Sequence, residues 1–181
     1  MFNFFKKKEE PTYDITNLRI KDLSIGFIFD YNLKSWVVKD KYEYDWGHNN
    51  FSYEYKIDSG DESAFLSIED DGDLLISLFK SMKIKKIDED VTDEIVRNKK
   101  APRKIHYKNE KYFLDSDSAG YFRDCSKKNK DWEELIAFEY LNENEDKIIS
   151  VVQWDEETFE ASFGFRIKEF EISNIIPAEQ K

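Results

Sequence analysis

An all-β fold with minor helix is predicted by three observations. The chain is 16% aromatic, with 15 Phe, 10 Tyr and 4 Trp, while Gly at six and Pro at three are scarce. That composition suits pleated, half-buried surfaces. Apolar residues also alternate: Phe27, Phe29 and Tyr31, then Phe51, Tyr53 and Tyr55, then Phe159, Ala161, Phe163 and Phe165, the period-two signature of strands with one buried face. Finally, Ser-, Gly- and acid-containing clusters separate these runs, at Asp58 to Glu62, Asp70 to Asp73 and Asn142 to Asp146, and read as the loops of hairpins in meanders.

The second half of the chain echoes the first. Ile25, Phe29, Tyr31, Trp36 and Val37 match Ala101, Ile105, Tyr107, Tyr112 and Phe113 at a constant shift of 76. Tyr53-Glu54-Tyr55 then parallels Phe138-Glu139-Tyr140 at 85, and Phe65-Leu66-Ser67-Ile68 parallels Ile148-Ile149-Ser150-Val151 at 83. At 83, Ile76, Met82, Ile84 and Ile87 meet Phe159, Phe165, Ile167 and Phe170. The expected organisation is an N-terminal tail over residues 1–16, a first β repeat over 17–87, a helical connector over 88–100, a second β repeat over 101–176 and a C-terminal tail over 177–181. The connector runs from acidic to basic, as the helix dipole favours. The stretch Ser116 to Lys130 is polar and reads as an exposed loop or short helix. The first repeat opens at Lys21 to Gly26, before its alternating aromatics, like the tight entry to an SH3-like barrel. The pair is expected either as two small, partly open barrels or as a pseudo-twofold β-sandwich.

Taken in order, the Ile25-Gly26 turn, Tyr31, Trp36-x-Val38, Tyr44-x-Trp46, Tyr53-Glu54-Tyr55 and Phe65-Leu66-Ser67 resemble a bacterial family known as domain of unknown function 4178, over roughly residues 18–176. The resemblance rests on aromatic and turn positions, so it speaks for fold, and it carries over no catalytic residues. It implies a cytoplasmic bacterial protein associated with membrane stress or envelope maintenance.

Composition excludes several functions. The 39 Asp and Glu outnumber the 28 Lys and Arg, for a net charge of -11, which repels nucleic acid at long range. One cysteine, Cys125, permits no internal disulfide and fits a reducing compartment. No apolar run approaches the roughly 20 residues that span a bilayer, and no signal peptide is recognisable. The expected place is the cytoplasm, with peripheral contact at the inner membrane through residues 1–8, where Phe2, Phe4 and Phe5 precede Lys6, Lys7 and Lys8.

Catalytic, cofactor and metal motifs are missing. The two histidines, His48 and His106, lie in a turn and on the polar face of a strand. Nucleotide-binding, nucleophile-elbow and metalloprotease patterns do not occur, and Asp58 to Glu69 fails as a calcium loop because Ser63 stands where glycine is required. No catalytic residue, metal ligand or cofactor is therefore assigned. The candidate binding residues are Tyr42, Tyr44 and Trp46, since the second half has Ser118, Gly120 and Phe122 at the shift of 76. A position where one copy keeps rings and the other has small residues marks either a function or the contact between copies. The function expected first is a non-enzymatic binding or adaptor protein with a protein partner. The alternatives are an enzyme with a carboxylate-lined cleft between the repeats, acting on a glycan or cationic amine, and a sensor of a small cation or polyamine.

Overall fold

A computed structural model describes residues 17–70, 72–128 and 131–178. The expected contact of residues 1–8 with a membrane lies outside the described residues. The described residues form eleven strands and one α-helix, five strands before the helix and six after it. They are β1 (Ile28–Tyr31), β2 (Lys34–Asp45), β3 (Phe51–Asp58), β4 (Ser63–Asp70), β5 (Leu74–Met82), α1 (Val91–Asn98), β6 (Lys104–Tyr107), β7 (Glu110–Asp124), β8 (Glu133–Asn142), β9 (Lys147–Gln153), β10 (Phe159–Ile167) and β11 (Ser173–Ile176). No helix among the described residues is long and apolar enough to cross a membrane.

All strands belong to one antiparallel sheet, in the order β11-β1-β2-β3-β4-β5-β10-β9-β8-β7-β6. A further pairing of β2 with β7 bends this sheet round on itself. The result is a ring of eight strands, with neither two separate barrels nor two stacked sheets. Closure is partial, because β2 and β7 each change partner along their length. Residues 34–37 of β2 pair with β1, whereas 42–45 pair with β7. Residues 110–113 of β7 pair with β6, and 121–124 pair with β2. Both strands carry a bulge at the changeover, between Val38 and Asp40 and between Leu114 and Ser116. An extra residue there bends the strand and ends local pairing.

Glycine makes both seams between the meanders possible. Where β5 meets β10, a Cβ on Gly164 would come within 2.4 Å of the Phe79 ring. Where β2 meets β7, a Cβ on Gly120 would lie 2.7 Å from the Trp46 ring. A large ring lies over a bare backbone at each junction.

Two apolar cores occupy one side of the ring strands. The first gathers Phe29, Trp36, Tyr55, Ile57, Leu66 and Leu78 with Ile167 and Ile172, the last two from the end of the chain. The second gathers Ile105, Tyr107, Tyr112, Phe138, Tyr140, Ile149 and Val151 with Ile87, Val91 and Ile95. Each core thus draws residues from both halves of the chain. Helix α1 is capped by Asp90, whose carboxylate accepts from the Asp93 N–H, satisfying a donor the helix cannot. It ends where Lys99 turns left-handed at φ 52°.

Some local expectations need correction. Residues 116–124 are strand, not a loop or helix, because Ser116 and Ser118 sit on the same face as Glu139 and Ala137 of β8, a face that turns inward and needs no apolar residue. Phe170, aligned above with Ile87, is exposed, and Ile172 fills the core position. Phe113 is likewise exposed while Tyr112 is buried.

Candidate functional site

Alternation along each ring strand decides what faces the inside. In β3, Tyr55 and Ile57 point into the first core, so Ser52 and Glu54 point the other way. In β8, Phe138 and Tyr140 point into the second core, so Ala137 and Glu139 are inward. The same rule turns Ser67 and Glu69 of β4, Ser81 of β5, Ser150 and Val152 of β9, and Glu160 and Ser162 of β10 toward one cavity of about 510 Å³, which they line. An eight-stranded ring is wide enough to be filled by side chains or to hold one small ligand. Here filling is partial. Phe65 and Phe79 line the cavity and pack with Leu141 and Ile148 into a small apolar cluster inside the ring.

Two glutamates dominate the chemistry. Glu54 stands opposite Ser67 across β3 and β4, and Glu139 stands opposite Ser150 across β8 and β9. Among the described residues neither has a cationic group within 4.0 Å. Both line the cavity and are largely packed in protein, so removal from water penalises the charged form. Burial pushes the Glu54 carboxyl up to about 7; the Tyr44 hydroxyl, donating to Oε1 at 3.2 Å, opposes this and the charge of Glu160 adds to it. Burial likewise pushes Glu139 up to about 7, with Glu69 and Asp115 adding to the rise and Arg166 opposing it. Glu69 is raised by burial as well, against the pull of Arg166.

Rings form the wall beside Glu54. Tyr42, Tyr44 and Trp46, the binding residues expected from sequence, are half-buried in and just beyond β2. Tyr44 and Trp46 line the cavity and stack with centroids 5.6 Å apart and planes 2° from parallel. Tyr42 packs against Phe65 at 6.4 Å and Phe122 at 5.5 Å. Trp46 Nε1 donates to Ser52 Oγ at 2.9 Å, which holds the indole in place. From the far side, Trp154 meets Phe122 edge-on at 5.1 Å and 77°. Burial and the nearby Glu54 charge drive the Tyr44 phenol well above its ordinary value, so it remains a hydrogen-bond donor.

The contact between β2 and β7 also accounts for the difference that singled these residues out. Tyr44 faces Phe122 across the seam, and Gly120 leaves room for Trp46. The contact between the halves therefore falls on the same residues that line the cavity. His48 is an exposed turn residue at φ 52°. His106 lies apart from the cavity, its Nδ1 2.5 Å from Glu89 Oε1. Among the described residues no three His, Cys, Asp or Glu side chains gather as metal ligands.

Glu54 and Glu139 were visible in the sequence only as the middle residues of Tyr53-Glu54-Tyr55 and Phe138-Glu139-Tyr140. The usable signal was the alternation: with both flanking rings directed to a core, the glutamate must face the opposite way. Alternation alone assigns that opposite face to solvent. Only the β2–β7 pairing turns it into an interior.

A family model described as "Domain of unknown function (DUF4178)" matches residues 24–169. The chain is also similar to an uncharacterized protein of Aquifex aeolicus (strain VF5), with 27% identity over 175 residues, covering 96% of this chain and 94% of that one. No solved structure matches.

Proposed function

We propose a function for this chain, which belongs to the family of the domain of unknown function 4178, from its lumen: it is a non-enzymatic binding protein that takes a small organic ammonium ion into the ring. The observation that carries this reading is the pair of inward carboxylates, Glu54 and Glu139, which have no basic partner within ion-pair distance among the described residues. Charge held away from water is costly unless it is paired. An ammonium ligand supplies the pair, and aromatic faces such as those of Tyr44 and Trp46 attract organic cations.

The tandem-repeat reading, with units over 17–87 and 101–176, supports the same conclusion. The aligned tripeptides around Glu54 and Glu139 and the aligned Ser67 and Ser150 would then give each repeat one carboxylate and one hydroxyl for a shared site. The inward placement of Tyr44 and Trp46 favours a small ligand over a docked protein as their occupant. A bacterial cytoplasmic receptor associated with envelope maintenance is what the family resemblance adds.

Thermal unfolding at pH 7.5 tests the reading, with millimolar butylamine or cyclohexylamine against equal sodium chloride. A ligand that binds only the folded state raises its melting temperature. The expected result is a rise with at least one amine that is lost in Glu54→Gln and Glu139→Gln. No rise with either amine, or an equal rise in the variants, overturns it.

A further inference from the structure

The hydroxyl groups of the cavity narrow the ligand class. Five serines line it, Ser52, Ser67, Ser81, Ser150 and Ser162, and of these Ser52 alone has a side-chain hydrogen bond among the described residues, accepting from Trp46. Ser67 and Ser150 are half-buried, and each stands beside a carboxylate on the neighbouring strand, Glu54 and Glu139 respectively. An alkylamine brings only its N–H donors and would leave the remaining hydroxyls against methylene groups. That is unfavourable, because a polar group desolvated without a partner loses more than a made hydrogen bond contributes. A hydroxylated ligand meets both serines and carboxylates, since its hydroxyls donate and accept.

The walls fit the same chemistry. Tyr44 and Trp46 lie parallel, and Phe159 and Trp154 also line the cavity. Flat rings of this kind match the apolar C–H face of a saturated ring whose edge carries hydroxyls, just as amphipathic rings favour partners with one apolar and one polar side. At about 510 Å³ the cavity is within the range of roughly 300–1,000 Å³ usual for small-molecule sites.

We propose that the occupant of the lumen is a polyhydroxylated amine of the amino-sugar class, held by its ammonium at Glu54 or Glu139 and by its hydroxyls at the other carboxylate and at Ser67 and Ser150. This rests on the ammonium reading above and assigns the class of compound. Selectivity follows from the two kinds of group together. A neutral sugar lacks the charge that the carboxylates require, and a plain amine leaves the serines unpaired. Sites built to bond a hydroxyl discriminate strongly against analogues that lack it.

Isothermal titration of the full chain at pH 7.5 tests it, with glucosamine, glucose, N-acetylglucosamine and cyclohexylamine as the probes. Glucosamine is expected to bind about tenfold or more tightly than each of the other three. The Ser67→Ala/Ser150→Ala double variant is expected to weaken glucosamine by about tenfold and to bind cyclohexylamine no more weakly than the wild type does, since a hydroxyl left unpaired by that ligand is removed; retained cyclohexylamine binding also shows that the variant is folded. Cyclohexylamine binding as tightly as glucosamine overturns the amino-sugar inference and leaves the ammonium reading standing. So does an equal loss of both ligands in the serine variant. Glucose binding as well as glucosamine overturns both, and so does the absence of binding by either amine. The ligand comparison needs no variant, so it decides the matter even if the serine double variant fails to fold.

Discussion

The two faces of the ring strands are built on opposite rules. On β9, Ile149 and Val151 are completely buried in the second core, while Ser150 between them looks into the cavity. On β4, Leu66 and Ile68 enter the first core while Ser67 and Glu69 face inward. Closed barrels of this size commonly place their apolar residues inside. Here most of the buried apolar residues lie on the side packed beneath β1, β11, β6 and α1, and the lumen keeps only the small cluster of Phe79, Leu141 and Ile148 with Phe65, beside its polar groups. A fold that places most of its apolar burial outside the lumen can carry carboxylates without an ion-pair partner there.

The sharpest way to break that comparison is to change neighbours on one strand. Ile149→Ala removes a fully buried side chain and is expected to cost about 2–5 kcal/mol, as core truncations do. Ser150→Ala, one residue on, is expected to change stability by no more than about 0.5 kcal/mol. Urea unfolding of the two single variants measures both. Equal costs would mean that the lumen carries the fold after all.

Protonation sharpens the same contrast. The folded-state carboxyls of Glu54 and Glu139 lie at about 7, above the ordinary 4.5. The folded state therefore binds more protons than the unfolded state between these values. This contribution to stability is fully present below about pH 4.5 and is lost as pH rises through about 7. Each carboxyl contributes on the order of 3 kcal/mol to that change. Several carboxylates outside the cavity act in the opposite direction, Glu62 most of all through Lys34 and Lys80, so the comparison must be made against Glu54→Gln/Glu139→Gln. Between pH 8 and pH 5 the wild type is expected to gain stability relative to that variant, as read from urea unfolding at the two values. A gap independent of pH would show that both groups titrate normally.

The strands were legible because a single period fixes them. Phe29 and Tyr31, Leu66 and Ile68, and Ile149 and Val151 all lie where alternation puts them. The hairpin loops followed from their Asp, Asn and Gly residues. Ring closure was not legible, since it depends on residues 42–45 meeting 121–124, about 80 positions away. No local pattern encodes that contact. It is also why the polar stretch after Ser116 reads as a loop from sequence alone. The rings of the candidate site were legible as a difference between the halves, because Tyr44 and Gly120 at equivalent places reflect the seam they share. The acidic residues were not, because a glutamate between two aromatic residues in a strand looks like ordinary solvent exposure until the opposite wall is in place.

The smallest expected effect lies at the hairpin joining β1 to β2, remote from both faces. Asn32 and Leu33 turn left-handed there at φ 50° and 62°, as Lys108 and Asn109 do between β6 and β7 at 51° and 63°. Two-residue hairpin turns of this hand favour Asn and Gly at both positions. Leu33 is fully exposed, so it gains nothing from packing in return for the strain of its Cβ against the backbone. Leu33→Asn gives the first hairpin the residue that the second already has at the corresponding place. Asparagine tolerates this conformation far better than leucine, and the variant is expected to be about 0.5–1 kcal/mol more stable, read as a higher urea midpoint. Because the substitution touches neither core nor cavity, amine affinity is expected to stay at the wild-type value. A loss of affinity would show that the turn is coupled to the lumen through β2, whose far end carries Tyr42 and Tyr44.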